Sequence, residues 1–503
     1  MKFTNKNIKL LFLYPNAVMQ NPPPVSIAIF YSLLKNIEGL EIDIFDTTLY
    51  NIEDKTSDKV KEEHLQVRPF DFGERNIKLK TNDVYKDFLE KIESFKPDLI
   101  ALSCNEITYP LGLSFLEKLN KINRPLTIVG GVFATFAPEK ILLNEYVDLV
   151  CIGEGEEVII ELIENIKNEK DYTNIQNIAY KKEDKIIKNP LRKLVDINNL
   201  PLPDYDIFEE NRYYRPMAGK IWKLFPIETS RGCPYLCSFC NSPSQKKLYN
   251  EYGYKNFFRK KSISKIDEEL NYLVKKYNME YVYFLSDTLL CINDKEFDEF
   301  CKMYKKYSLP FWCQNRPEMI TYERMKKLKD IGCHRMSIGV EHGNEEFRKN
   351  VLKKPCKNSQ IIKAFEILDK VGIPVTVNNI IGFPYETRDL AFDTINLNRK
   401  LQFDTSNAYA FTPFHGTELY EICVKEGFID SNEKLKCLTK GSILNMPAPY
   451  LSKEEIDGLI KTFALYAKMP EKYFDKIRTA EKNTEEGNRI FKELSEIYKQ
   501  KYF

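Results

Sequence analysis

Three cysteines fall within eight residues in the stretch Thr229-Ser-Arg-Gly-Cys233-Pro-Tyr-Leu-Cys237-Ser-Phe-Cys240. Spaced C-x3-C-x2-C, their thiolates can converge on one face of a tight loop. Such a loop can ligate three irons of a 4Fe–4S cube and leave the fourth iron without a protein ligand. Gly232, just before the first cysteine, has no side chain to hold the backbone away from a cluster. Two blander readings compete, a zinc knuckle and three buried structural cysteines. Zinc takes four N or S ligands, and no further Cys or His lies near enough in sequence to complete a local set. Unpaired cysteines are commonly small buried hydrophobes, but three at this spacing after an apolar strand are unusual in that role.

With Phe239 just before Cys240, the motif resembles that of the radical S-adenosylmethionine (SAM) superfamily. In that superfamily the open iron chelates the amino and carboxylate groups of SAM.

Elements that could position such a loop recur on both sides of it. The first 200 residues alternate apolar runs with helical periodicity. Strands are expected at Lys9–Tyr14, Glu41–Phe45, Asp98–Ser103, Leu126–Val129 and Asp148–Ile152, and helices at Val25–Lys35, Leu111–Asn120 and Glu156–Lys167. That alternation predicts an open parallel sheet with helices on both faces, whose ligands sit outside the carboxyl ends of the strands. Three expected strand ends carry candidates: Ser103-Cys-Asn105, Gly130-Gly131-Val132-Phe133, and Gly153-Glu154-Gly155. Any doubly wound protein has glycines at such places, so each is weak alone. Their order and spacing resemble the cobalamin-binding domain that precedes the barrel in a large radical SAM subgroup. The resemblance implies that these residues, Cys104 apart, face cobalamin, with the serine and paired glycines lining the slot for its dimethylbenzimidazole tail.

The chain departs from methionine synthase and the mutases in lacking D-x-H-x-x-G. Its cobalt is therefore expected to have no protein histidine on the lower face. His64, the single histidine in the first 300 residues, lies in a polar stretch from about Tyr50 to Asp83 and reads as a solvated surface residue. The stretch itself reads equally as a lid or as a surface insertion with a short helix.

Asp171–Lys193 reads as a small hairpin region, and Leu200-Pro-Leu-Pro-Asp-Tyr205 as extended linker. A second βα series follows, with strands at Pro226–Thr229, Tyr281–Leu285, Pro310–Cys313, Arg335–Val340, Val375–Ile381 and Ala408–Thr412. Six βα units match a partial barrel with its chemistry at the carboxyl ends. In the resembled family the residues at those ends would hold SAM. Glu341 would bind the ribose, Gly382 would let adenine lie on backbone, Ser286 and Asp287 would approach the methionine amine, and Arg316 would pair with the carboxylate. Tyr235, Phe239 and Phe383 complete the expected SAM set. Asp287 and Arg316 also read as salt-bridged barrel-mouth residues. His334 and His342 read as structural or solvent-facing. His415, where relatives usually carry proline, either brings a hydrogen-bonding group near substrate or has no role.

Beyond Leu419 the pattern turns helical. Ser452 and Glu455 form a capping box; stripes at Ile456, Leu459, Ile460, Phe463, Ala467 and at Ile490, Phe491, Leu494, Ile497, Tyr498 read as core contacts. The expected class is thus α/β in four parts: a Rossmann-like cobalamin-binding domain (1–170), a linker (171–220), a partial (β/α)6 radical SAM barrel (221–420) and a helical C-terminal domain (421–503). The nine other cysteines, Cys437 among them, have no paired spacing.

Lys+Arg of 75 against Asp+Glu of 73 announces no polyanion partner, so nucleic acid is not expected. No apolar run reaches membrane-span length, and the start lacks a signal-peptide pattern. Twelve cysteines then read as reduced thiols in the cytoplasm. The resemblance implies a cobalamin-dependent radical SAM methyltransferase of the kind called class B, with a 4Fe–4S cluster, SAM and cobalamin as cofactors. In such enzymes a 5′-deoxyadenosyl radical takes hydrogen from an unactivated carbon, which then receives the methyl of methylcobalamin. A small-molecule or peptide substrate and an electron donor such as a flavodoxin or ferredoxin are expected. Competing readings are cobalamin-dependent rearrangement or cyclisation, a methylthiotransferase, and a non-enzymatic iron–sulfur protein. A methylthiotransferase would carry more amino-terminal cysteines than Cys104 and Cys151 and a basic β-rich tail.

Overall fold

The computed structural model describes residues 7–16, 21–52, 55–430 and 441–503; Cys437 lies outside them. The first sheet contains β1 (Ile8–Tyr14), β2 (Leu40–Asp46), β3 (Leu99–Ser103), β4 (Leu126–Gly130) and β5 (Leu149–Cys151), with β6 (Ile178–Lys182) and β7 (Lys185–Lys188) added at one edge. Its order is β2-β1-β3-β4-β5-β6-β7, parallel through β5 and antiparallel beyond. Runs such as IKLLFLY and LIALS are apolar at all but one position because helices cover both faces. Order reverses between β1 and β3, the switch point where such sheets open a crevice. Register sets Ser103 beside Gly130, bringing two of the expected strand ends together.

The expected hairpin is present as β6 and β7, and it continues the first sheet past residue 170. The extended Leu200–Tyr205 stretch packs as a seam. Tyr205 is fully buried against Phe225 and Tyr277, and Asp204 holds Lys35 on one side and Lys276 on the other.

The second sheet comprises β8 (Tyr214–Met217), β9 (Lys220–Glu228), β12 (Tyr281–Leu285), β13 (Phe311–Asn315), β14 (Cys333–Glu341), β15 (Val375–Ile381) and β16 (Thr405–Ala410); β10 (Ser230–Arg231) and β11 (Arg259–Lys260) form a separate two-stranded ladder. From β9 to β16 it is parallel and curls into a half-barrel. Two expected boundaries shift for one reason. The first strand begins at Lys220 because it pairs with β8, and the last begins at Thr405 because it pairs with β15; neither pairing shows in local composition. The helix Lys453–Lys468 carries the expected capping box, and both C-terminal stripes enter a core shared with the last barrel strands.

The Tyr50–Asp83 stretch is neither a lid nor a plain surface insertion. After the short helix Ser57–Glu63, Leu65 is fully buried in the core beneath the C-terminal helices. Gln66 Nε2 donates to the carbonyls of Ala408 (3.3 Å) and Ile460 (3.4 Å). The segment is a strap from the first sheet to the barrel. His64 is accordingly half-buried, edge-on to Phe491, not solvated, and burial pulls its pKa down to about 4.

Candidate functional site

The cluster loop follows β9 and β10 at the carboxyl end of the barrel. Gly232 turns it at φ +84°, where a Cβ would stand 2.7 Å from the Phe257 carbonyl, so only glycine fits. Burial pushes the Cys233 thiol up to about 12 and Cys240 to about 11, so a metal held there would have to displace those protons. Each sulfur has a donor aimed at it. Cys233 receives the Tyr235 backbone N–H, Cys240 the Ser242 N–H at 3.5 Å, and Cys237 the Arg316 Nη1 at 3.5 Å. Among the described residues no group of three His, Cys, Asp or Glu converges on one ion. Cysteines that hold separate irons of a cube have no need to, and three hydrogen-bonded free thiols on one loop fit a cubane.

A cavity of about 300 Å³ opens beside the loop, lined by all three cysteines together with Tyr235, Phe239, Asp287, Arg316 and Glu341. Burial raises the Asp287 carboxyl. Glu341 sits at φ +66°, a strained conformation for a residue with a side chain, where β14 and β15 slip register. Lys354 Nζ holds its carboxylate at 2.9 Å. Thirteen residues separate the pair, so no spacing rule exposes it. Three expected SAM residues are outside this lining. Ser286 lies just behind it, its buried Oγ without a hydrogen-bond partner. Phe383 is fully buried against Phe239, and the N–H groups of Gly382 and Phe383 are held by the Glu386 carboxylate. The Glu341 and Asp287 carboxyls in a cavity lined by the three cysteines fit SAM, with the unpartnered Ser286 hydroxyl next to Asp287 in the chain.

A second cavity, of about 440 Å³, opens at the carboxyl ends of the first sheet. Ser103, Gly130, Gly131, Gly153, Glu154 and Gly155 line it as expected. Gly131 has φ +118°, and a Cβ there would lie 2.0 Å from the Cys104 carbonyl; at Gly130 it would meet only Cys151 Cβ at 3.9 Å. The flat glycine wall, faced by Phe12 and Phe30, fits the planar tail of cobalamin. Asn105, Val132 and Phe133 are not in this lining. Asn105 Oδ1 accepts from the Ile107 and Thr108 N–H groups in a local turn, and Phe133 packs between Tyr109 and His415.

The barrel closes this cavity. Glu228, Arg231 and Leu285 line it from the other side. Arg231 Nη1 bonds Glu154 (3.1 Å) and Glu156 (2.7 Å) while its Nε bonds Glu228 (3.0 Å); Arg259 also holds Glu154. Burial alone would raise the Glu154 carboxyl, but Arg259 and Arg231 overcome it and hold it below the usual range. Arg231 stands in the T-S-R-G-C run, but nothing in the sequence marked it as functional or paired it with these carboxylates. His415 is engaged by Glu106, which follows β3. Glu106 accepts from the His415 backbone N–H (2.9 Å) and pairs with Nδ1, while Tyr420 meets Nε2 at 2.7 Å. His334 bonds Tyr281, and His342 is buried against Phe347.

Residues 227–397 match the radical SAM superfamily model, and residues 70–163 match the B12 binding domain. An uncharacterised methyltransferase of Pyrococcus horikoshii is 26% identical over 75% of this chain and 80% of its own length. An anaerobic magnesium-protoporphyrin IX monomethyl ester cyclase of Rubrivivax gelatinosus is 27% identical over 68% of this chain, which spans only 61% of that protein. The fold is similar to the cobalamin-dependent SAM radical enzyme OxsB, solved with aqua-cobalamin and SAM bound. The TM-score is 0.66 at 16% identity, covering 98% of this chain and 71% of that one. A B12-binding domain thus precedes a radical SAM half-barrel, with a fitted cavity in each, and the two domains together imply a 4Fe–4S cluster, SAM and cobalamin as cofactors.

Proposed function

We propose that this enzyme transfers a methyl group from methylcobalamin to an unactivated carbon of a small-molecule or peptide substrate. When bound, the cluster and SAM supply the hydrogen-abstracting radical, and the corrinoid supplies the methyl group. The chain's own part is placement. Cys233, Cys237 and Cys240 hold the cluster, Glu341 and the Ser286–Asp287 turn orient SAM, and the Ser103–Gly130–Gly131 wall seats the cobalamin tail. Phe239, Phe383 and the buried barrel wall keep water from a reactive intermediate. One observation carries the reading: barrel residues Glu228, Arg231 and Leu285 line the first domain's cavity, and Arg231 and Leu285 each stand two residues before a residue of the cluster-side cavity, Cys233 and Asp287, so the two cofactor sites are neighbours. The methyltransferase name of the Pyrococcus relative supports transfer over rearrangement. No helix among the described residues is long and apolar enough to cross a membrane; we place the enzyme in the cytoplasm, reduced by a flavodoxin or ferredoxin. The test is anaerobic turnover with methyl-deuterated SAM and candidate substrates, read by mass spectrometry. Methyl transfer predicts a product carrying the labelled methyl. A product of unchanged mass, with 5′-deoxyadenosine formed, would overturn transfer in favour of rearrangement.

A further inference from the structure

Of the three cluster cysteines, two take their hydrogen bonds from backbone N–H groups, Cys233 from Tyr235 and Cys240 from Ser242. Cys237 alone takes its hydrogen bond from a charged side chain, the Arg316 Nη1 at 3.5 Å. That guanidinium is not free to swing. Its face lies 3.8 Å from the centre of the Tyr235 ring, itself part of the cluster loop. Its Nε and Nη2 are both held by Glu318 Oε1, at 2.6 Å and 2.5 Å. The residue is 9% exposed, so its charge is screened little by solvent. Stacking, a fork to one carboxylate and a donor on sulfur together direct the cation at the cluster. The SAM carboxylate is then a poor candidate for its main partner.

We infer that Arg316 is a positioning and tuning residue for the cluster, raising its reduction potential through the hydrogen bond to Cys237. The inference rests on the reading of Cys233, Cys237 and Cys240 as cluster ligands. Reduction adds one negative charge to the cluster and its thiolates. A fixed cation and donor at a ligand sulfur favours the reduced form, and net charge and hydrogen bonds to sulfur are the levers that set such potentials. Glu318 opposes this by partly neutralising the guanidinium. The two residues therefore predict shifts of opposite sign.

The experiment is an anaerobic redox titration of the reconstituted full-length enzyme in the absence of SAM, followed by electron paramagnetic resonance, with iron and sulfide counted on the same samples. Arg316→Met is expected to lower the midpoint potential by at least 59 mV, a tenfold change in the reduced-to-oxidised ratio for one electron. Arg316→Lys, which keeps the charge and loses the fork, should fall between. Glu318→Gln should raise the potential, and it decides the matter if Arg316→Met fails to assemble a cluster. A full cluster at unchanged potential in both variants overturns the inference. Unchanged potential with a tenfold weaker SAM Kd in Arg316→Met overturns it in favour of a carboxylate ligand. Absence of any cluster from the wild-type enzyme would instead overturn the reading of the three cysteines, a distinguishable failure.

Discussion

Two adjacent glycines divide the labour of the corrinoid slot, and they can be separated by experiment. Gly131 is required by the backbone: at φ +118° an added methyl would overlap the Cys104 carbonyl. Gly130 is open on the protein side, since an added methyl would meet its nearest non-adjacent atom, Cys151 Cβ, only at 3.9 Å yet would stand on the cavity wall, so the proposed ligand is what would demand glycine there. Gly130→Ala should therefore fold with stability within about 0.5 kcal/mol of wild type. Its cobalamin affinity should fall at least about tenfold, equivalent to ~1.4 kcal/mol. Gly131→Ala should lose stability in the cofactor-free protein as well, by about 1–3 kcal/mol for the strained conformation. Thermal unfolding without cobalamin, and corrinoid absorbance after desalting, check both. If Gly130→Ala retains cobalamin as wild type does, the slot holds something else.

At the scale of elements, the strap around Leu65 was the least legible feature and the strands among the most. Strand runs announced themselves because a parallel strand buried on both faces is apolar throughout, as IKLLFLY and VTVNNII largely are. The cluster loop and the glycine-bearing strand ends were legible for a similar reason: their residue types are fixed locally by ligand or backbone. Leu65 and Gln66 sit in polar, weakly periodic sequence, and their partners Ala408 and Ile460 are more than 340 residues away. Nothing local reports such contacts. Glu106 with His415 and Lys354 with Glu341 escaped for the same cause. Leu65→Ala should cost about 2–5 kcal/mol as a buried large-to-small change, seen as a lower unfolding midpoint in denaturant. The neighbouring His64 adds a pH signature. Its folded pKa, about 4, lies below the ordinary 6.5, because burial and the nearby Lys461 and Lys55 outweigh Glu63. The unfolded chain thus binds the proton more readily. The stability His64 contributes is fully present above pH 6.5 and is lost as pH falls toward 4. His64→Leu should flatten that limb of the stability profile, which denaturant melts at pH 7 and pH 5 will show.

Across the whole molecule, the two domains meet through buried charge, and the distribution of that charge sets what happens when it is disturbed. Arg231 lies two residues before Cys233 and, among the described residues, is the one cation that touches Glu154, Glu156 and Glu228 together. Glu154 keeps Arg259 if Arg231 is removed, but Glu156 and Glu228 would face the corrinoid slot with their main counter-charge gone. Breaking a buried pair by deleting one partner costs about 3–5 kcal/mol, because the remaining charge stays desolvated. The charge cluster is partly exposed, the Arg231 side chain by 21%, so Arg231→Met should lose a part of that at pH 8. Carboxylates left this way have folded pKa values raised above their unfolded ones, so the native state takes up protons as pH falls. The destabilisation should therefore shrink between pH 8 and pH 5, opposite in sign to the His64 effect. Glu154→Gln removes one acid from the same cluster and leaves Arg231 with two, so it should be milder and lack this recovery at low pH. Because the variant loosens both the slot wall and the approach to the cluster loop, cobalamin retention and iron content should fall together in Arg231→Met. Parallel absorbance and iron assays on one preparation measure that link, and loss of cobalamin at full iron content would show that the Arg231 charge cluster does not couple the two sites.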